Sequence, residues 1–467
     1  MIGWWLAGLS AVADSEWWLR LPAVLQPAIL AWTVRWALPH LVPGVAPWRR
    51  DWLTLLVLLA PANVWNVLIT TDTPLIYFSV FSGLAWLRAA RDDDLRWYAV
   101  AGICLAGAVL SKYFAAILGF AYLVDVIRRR TPRALAGLAL AYACTLPALG
   151  LMAWWNSRNC WPNYMFNFVN RHEGAGWSAT TPLLYGLSLL YLLTPPVLWL
   201  VWKELRHRRP ASAEFQAVAA PDVNNVPALG VLVVVPFILF AALSLVKTIG
   251  LHWLLSFVPF ALIWLALRLS PATLDRLGRF FVGFAILHVV VILVIAMLPM
   301  ETWQKNRKYE GLVLTFARQE LAQALAADRG DRQKNWVLAM DGYSNAVTLG
   351  YNLRQYVIVF GEASSHARHD DILTDFRQLA GRNILVLRKS APDLTYYRQF
   401  FKEVRVDTFD IRGVRFWEVK GEGFDFSTYR DQVLRKAKTR YYALPRWLPQ
   451  RGCYFCDRYF PEEQCSR

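Results

Sequence analysis

Residues 66–78 read NVLITTDTPLIYF, and this stretch decides how the chain is to be understood. Two long apolar runs, residues 52–69 and 75–87, meet there across Thr70, Thr71, Asp72 and Thr73. An ionised aspartate at the rim of a bilayer is costly, so its presence marks a partner or a ligand that needs it.

The surrounding composition supports a bilayer. The 467 residues are 56% hydrophobic and 14% aromatic, above the apolar share of ordinary soluble enzymes. Twenty-three tryptophans suit aromatic belts at two membrane interfaces. The formal charge of +16 invites a nucleic-acid reading. In the first 300 residues, however, the excess Lys and Arg fall in short loops between apolar runs, which is how topology is set.

Ten such runs are read as membrane spans: 21–38, 52–69, 75–87, 97–110, 113–127, 134–155, 182–202, 226–246, 253–267 and 280–300. Alternate loops carry sixteen basic residues, among them Arg49, Arg88, Arg128, Lys203 and Arg268. The other loops carry five: Arg20, Lys112, Arg158, Arg171 and Lys247. The richer set belongs in the cytoplasm, which puts Asp72, Lys112, the 156–181 loop and the 247–252 turn outside, together with everything after Met300. The start of the chain then also lies outside, as expected of a chain lacking a first helix.

From Glu301 the pattern changes to a small α/β domain, residues 301–467. GLVLTFARQELAQALAADRG (311–330) reads as a helix ending at Gly330. NWVLAMD, QYVIVFG and NILVLRK read as strands, with DDILTDFRQLAG as a helix between the last two. FDIRGVRFWEVK (409–420) reads as a later strand. Cys453, Cys456 and Cys465 share the outer side with Cys160, where disulfides or free thiols are favoured over a zinc site and the pairing stays open. No Walker loop, GxGxxG or GxSxG elbow occurs.

The outer ends of several spans carry ionisable or polar residues: Asp72; Lys112 and Tyr113; Asn156 and Arg158; Arg171, His172 and Glu173; Lys247 and His252. Each alone could be an interface residue snorkelling to water. Asp72 and Lys112 stand out because each sits in a very short turn between apolar runs. The cations would hold an anion such as a headgroup phosphate. A nearby carboxylate could accept a proton from an attacking hydroxyl or orient a sugar. Group transfer from a lipid-linked phosphate fits this set, and so does transport.

The runs DSEWWLRLPAVL, LITTDTPLIYF, LSKYFAA and WNSRNCWPNYMFNF, in that order, resemble the PMT_2 group of bacterial membrane glycosyltransferases. These are relatives of protein mannosyltransferases and of the aminoarabinose transferases that modify lipid A. GEASSHARHDDILTDFRQLAGRN is similar to the outer domain of some members. The resemblance implies a GT-C fold: a mainly α, polytopic bacterial inner-membrane protein of about ten helices (residues 1–300) with the small periplasmic α/β domain. It implies a polyprenyl-phosphate-linked sugar as donor and lipid A, another glycolipid or a protein as acceptor. Asp72 matches the acidic residue of the second outer loop and Lys112 the lysine that helps hold the donor phosphate, beside Tyr113. Asn156 matches the WN motif. Arg158, Arg171 and Lys247 join Lys112 as phosphate-binding candidates, and His172, Glu173 and His252 join Asn156 on the substrate side, all by looser matches.

One departure is plain. The family's main catalytic carboxylate lies in a first outer loop resembling DEAYYW, followed by HPP, and this chain begins just after that point. Asp72 is therefore expected to support catalysis rather than to be its principal base. A divalent metal ion is compatible with such chemistry, but no convincing ligand set for one is present. A lipid or saccharide transporter and a non-catalytic glycan-binding membrane protein are the rival readings.

Overall fold

A computed structural model describes residues 1–170, 176–206, 227–328, 336–362, 367 and 369–463. The chain is mostly helical and separates into two compact units. One comprises Met1–Met152 and Ala175–Ile295, the other Ala153–Gly174 and Ala296–Arg467.

The first unit opens with α1 (Ile2–Ser10), α2 (Glu16–Leu41), α3 (Pro47–Leu58), α4 (Asp72–Asp92), α5 (Leu95–Ser111), α6 (Ala116–Arg129) and most of α7 (Pro132–Arg158), whose residues from Ala153 on fall in the second unit. Helices Thr180–Arg206, Pro227–Ser244, Val258–Ala266 and Pro271–Met297 follow. Every apolar run read as a span overlaps a helix. Among the described residues five helices are long and apolar enough to cross a membrane: Glu16–Leu41, Pro132–Arg158, Thr180–Lys203, Pro227–Ser244 and Pro271–Met297. The other runs lie on shorter or more charged helices, so the structure does not fix a count of ten.

The run 52–69 is not one helix, contrary to expectation. α3 stops at Leu58, and a 3₁₀ turn, Pro61–Trp65, replaces its continuation. Pro61 has no N–H to give and disfavours helix in the residue before it. The Asn63 side chain takes over the freed carbonyls, donating to Val57 O and Leu58 O at 2.7 and 2.8 Å.

α4 and α5 form a tight hairpin. Asp93 adopts a left-handed conformation (φ 52°) and the Asp94 carboxylate caps α5 by accepting from the Arg96 N–H at 2.9 Å. At the α6 end the fully buried Asp125 accepts from Trp86 Nε1 at 3.1 Å and Arg128 Nη2 at 2.8 Å, with Arg129 Nε at 3.1 Å. That carboxylate ties α4 to the last turn of α6, where the two arginines also suit the negative end of the helix dipole. α5 meets α7 at Gly102, where an added Cβ would stand 2.3 Å from Ala141 O. Only glycine allows such a backbone approach.

The second unit holds a five-stranded sheet in the order β2-β1-β3-β5-β4. β1 (Val337–Met340) pairs in parallel with β2 (Ile358–Val359) and β3 (Ile384–Arg388). β5 (Val414–Phe424) runs antiparallel to β3 and to β4 (Phe401–Ile411). Both faces of β3 are buried: Ile384 and Val386 enter one apolar cluster, Leu385 and Leu387 the other. Such coverage on both sides makes this an α/β layer.

Three local expectations need correction. The run 409–420 is not one strand but a hairpin, turned at Arg412 (φ 49°) and Gly413 (φ 79°) as a two-residue connection between twisted strands requires. The helix read over 370–381 is two short turns, Asp370–Leu373 and Phe376–Leu379, the second started by Asp375, whose carboxylate accepts from the Arg377 N–H. The helix read over 311–330 is broken between Tyr309–Phe316 and Arg318–Asp328, with Ala317 at ψ 43°, and its expected end at Gly330 lies outside the described residues.

Candidate functional site

The TTDT stretch builds a helix start. The Asp72 N–H donates to Thr70 Oγ1 and the Thr70 N–H to Thr73 Oγ1, both at 3.2 Å, while the Thr73 N–H donates to Thr70 O at 3.1 Å. Orphan donors of the first turn are thus satisfied locally. Asp72 becomes the first residue of α4, where the helix dipole favours a carboxylate. Lys112 ends α5: its N–H closes on Ala108 O at 3.0 Å, and its extended backbone turns the side chain off the helix. A cation is favoured at that end for the same reason.

Because α4 and α5 are antiparallel neighbours, these two ends meet. Lys112 Nζ donates to both carboxylate oxygens of Asp72, at 2.7 and 2.8 Å. The aspartate side chain is 10% exposed and the lysine 22%, so water screens the pair only in part. Removing one partner of a fully buried pair costs about 3–5 kcal/mol. With this residual exposure about 1–3 kcal/mol is the appropriate range. Asp72 thus orients an ammonium whose remaining proton can face a ligand.

Just past Lys112, residues Tyr113–Ala115 form a 3₁₀ turn. Phe114 in that turn packs on Trp253 at a centroid distance of 4.0 Å, and Trp253 lies 6.1 Å from Phe240. Trp253 belongs to the turn Leu251–Leu254, which also carries His252, and Lys247 lies just before it, its N–H on Leu243 O at 3.1 Å. The structure therefore brings the Lys112–Tyr113 turn and the 247–252 turn together through aromatic packing. Sequence reasoning missed this contact, although Phe114 and Trp253 each directly follow or adjoin a candidate residue.

Asn156 and Arg158 belong to the second unit. Asn156 is 2% exposed and its carbonyl accepts from Trp161 N at 2.8 Å and Asn159 N at 3.1 Å. Arg158 lies over the Trp154 ring. The segment is stitched to the C-terminal residues by a Cys160–Cys453 disulfide, by Arg451 N–H to Ser157 O at 3.1 Å, and by Trp161 Nε1 to Pro449 O at 2.9 Å. Cys456 is also disulfide-bonded, whereas Cys104 and Cys144 are free thiols. Arg171, His172, Glu173 and Cys465 lie outside the described residues. Among the described residues no cluster of three or more His, Cys, Asp or Glu side chains is placed to hold a metal ion.

This is a multi-pass membrane protein whose charged pair joins two helix ends at one end of a bundle, and its fold is of the GT-C type. Residues 1–155 match the model of the family PMT_2, dolichyl-phosphate-mannose-protein mannosyltransferase, which is the stretch carrying the first three motifs quoted above. The fold is similar to that of ArnT from Cupriavidus metallidurans, in crystal structures of the apo state and of the complex with undecaprenyl phosphate. In both comparisons the identity is 16% and the TM-score 0.56, covering 90% of this chain and 87% of the other. No curated protein matches the chain by sequence.

Proposed function

We propose that the protein is a membrane glycosyltransferase that moves a sugar from a polyprenyl-phosphate donor to an outer-leaflet acceptor such as lipid A, another glycolipid or a protein. The observation that carries this reading is the Asp72–Lys112 pair, a cation held by a carboxylate at the joined ends of α4 and α5. The match of residues 1–155 to PMT_2, and the fold shared with a protein crystallised with undecaprenyl phosphate, supply the donor class.

In the proposed reaction the acceptor hydroxyl attacks the anomeric carbon, with inversion, and gives its proton to a carboxylate. The carbon–oxygen bond to the donor phosphate breaks, and the phosphate leaves on its lipid. Lys112 neutralises the developing charge, aided by Lys247 from the adjoining turn. Asp72 keeps the ammonium in place. The remaining named candidates, Tyr113, Asn156, Arg158, Arg171, His172, Glu173 and His252, are proposed to contact donor or acceptor.

The same reading proposes residues 1–300 as the membrane domain and residues 301–467 as a soluble domain on the periplasmic side of the bacterial inner membrane, with the active site on that side. The asymmetry of basic residues between loops supports it.

The test uses the full chain in nanodiscs with undecaprenyl-phosphate-linked sugars and candidate acceptors, following release of undecaprenyl phosphate. Lys112→Ala should slow release by about 10²–10³-fold, the effect of removing one charge-stabilising donor. Wild-type rate in that variant would sink the assignment. The backbone breaks at Pro61 and at Thr194 are what a transporter reading would use, since broken spans line transport sites, although that reading also calls for an internal repeat, which the sequence does not show. That reading requires movement of intact donor without cleavage.

A further inference from the structure

On the reading of run 52–69 as a membrane span, residues 59–71, between α3 and α4, lie at membrane depth without continuing the α-helix. α3 has 12 residues, about 18 Å of helix against roughly 30 Å of hydrocarbon. Irregular backbone at that depth persists only where protein groups satisfy it. Asn63 serves the α3 end, as described above. A second set of groups, from two distant helices, serves the turn itself.

Trp65 Nε1 donates to Tyr191 Oη at 2.9 Å. Tyr191 Oη lies 3.2 Å from His288 Nε2 and 3.4 Å from Pro61 O. His288 Nδ1 lies 2.8 Å from Phe284 O, a carbonyl that can only accept. In the neutral imidazole Nδ1 then carries the proton, and Nε2 can accept from the Tyr191 hydroxyl, whose other acceptor is Pro61 O. The result is a directed chain from the Pro61–Trp65 turn, through Tyr191, to His288 on the helix Pro271–Met297.

Tyr191 is itself held by an unusual backbone. Three residues on, Thr194 has φ 67° and ψ 151°, a region that residues other than glycine rarely occupy, and Pro195 and Pro196 follow. Thr194 is fully buried, and its hydroxyl makes no hydrogen bond among the described residues. Such strain persists where the surroundings over-determine it.

We infer that Tyr191 and His288 are positioning residues. They clamp the broken segment 59–71 so that its continuation, Thr70–Thr73, presents Asp72 to Lys112. The inference rests on the proposed role of that pair, but the clamp can be tested without turnover. The full chain in nanodiscs would be compared as wild type, Tyr191→Phe, His288→Leu and His288→Gln. The readouts are amide hydrogen exchange over 59–71 and the rate at which an N-hydroxysuccinimide ester acetylates Lys112.

Tyr191→Phe and His288→Leu should each raise both rates about fivefold, the effect of one net hydrogen bond. His288→Gln keeps an acceptor for Tyr191 and should restore them, while exchange in β3 and β5 stays unchanged in all variants. Wild-type exchange and acetylation in both Tyr191→Phe and His288→Leu would overturn the clamp, whatever reaction the chain catalyses. Failure of His288→Gln to restore either rate would also overturn it, because bulk rather than hydrogen bonding would then be at work.

Discussion

Asp72 and Lys112, forty positions apart in sequence, meet at the open end of one helical hairpin, with both carboxylate oxygens within 2.8 Å of the ammonium. Each charge also sits at the helix end whose dipole favours it. The energetic prediction is a coupling. Asp72→Asn and Lys112→Ala should each lower stability by about 1–3 kcal/mol. The double variant should lose less than the sum of the two, and thermal unfolding in detergent would show this. Strict additivity would mean that the pair does not interact in solution.

Asp125 offers a sharper stability test away from the proposed site. Its buried carboxylate serves Trp86, Arg128 and Arg129 at once. Asp125→Ala strands two arginines and an indole N–H, so a loss of about 3–5 kcal/mol is expected. A melting temperature equal to wild type would rule out the bracing role.

The Cys160–Cys453 bond joins the segment after α7 to the C-terminal residues within one compact unit. Cys453→Ser should lower the stability of that unit by about 2–5 kcal/mol. Faster amide exchange should appear in residues 153–170 and 444–460. Unchanged exchange there would mean the hydrogen bonds alone hold the segment.

Acid should act on the second unit through Asp425. Its carboxylate accepts from Ser427 Oγ at 2.6 Å, Thr428 Oγ1 at 2.7 Å and Thr428 N at 3.2 Å, the side-chain bond to Ser427 being the largest cause of a pKa lowered from 3.8 to about 2. A depressed folded-state pKa means stability that is present above the unfolded value and lost as pH falls through the folded one. The contribution should therefore fade between about pH 4 and pH 2. Asp425→Ala should remove that part of the acid dependence and cost about 1 kcal/mol at neutral pH. An identical acid titration of unfolding in the variant would refute this.

Much of the architecture was legible because hydropathy dominates at membrane depth. Nine of the ten apolar runs are mainly helical and the tenth, 52–69, is α-helical only in its first half; the two candidates singled out for sitting in short turns, Asp72 and Lys112, touch each other. Their pairing could have been read from the hairpin itself, since adjoining runs of similar length bring the start of one beside the end of the next. The break at Pro61 was also written in the sequence, yet the apolar run around it outweighed one proline. The Arg412–Gly413 turn was passed over for the same reason, a continuous strand-like pattern on both sides. The Cys160–Cys453 bond and the Phe114–Trp253 contact depend on chain segments far apart in sequence, where local patterns carry no information.

The most direct test of the central claim is the affinity of undecaprenyl phosphate for the full chain in nanodiscs, measured for wild type, Lys112→Ala and Asp72→Asn. A hydrogen bond to a charged group contributes about 1.5–3 kcal/mol, so Lys112→Ala should weaken binding by about 10- to 100-fold. Asp72→Asn keeps the ammonium but removes the carboxylate that orients it, so binding should weaken by less than in Lys112→Ala. Equal affinity in wild type and Lys112→Ala would contradict the account and leave the Asp72–Lys112 pair as a purely structural link between α4 and α5.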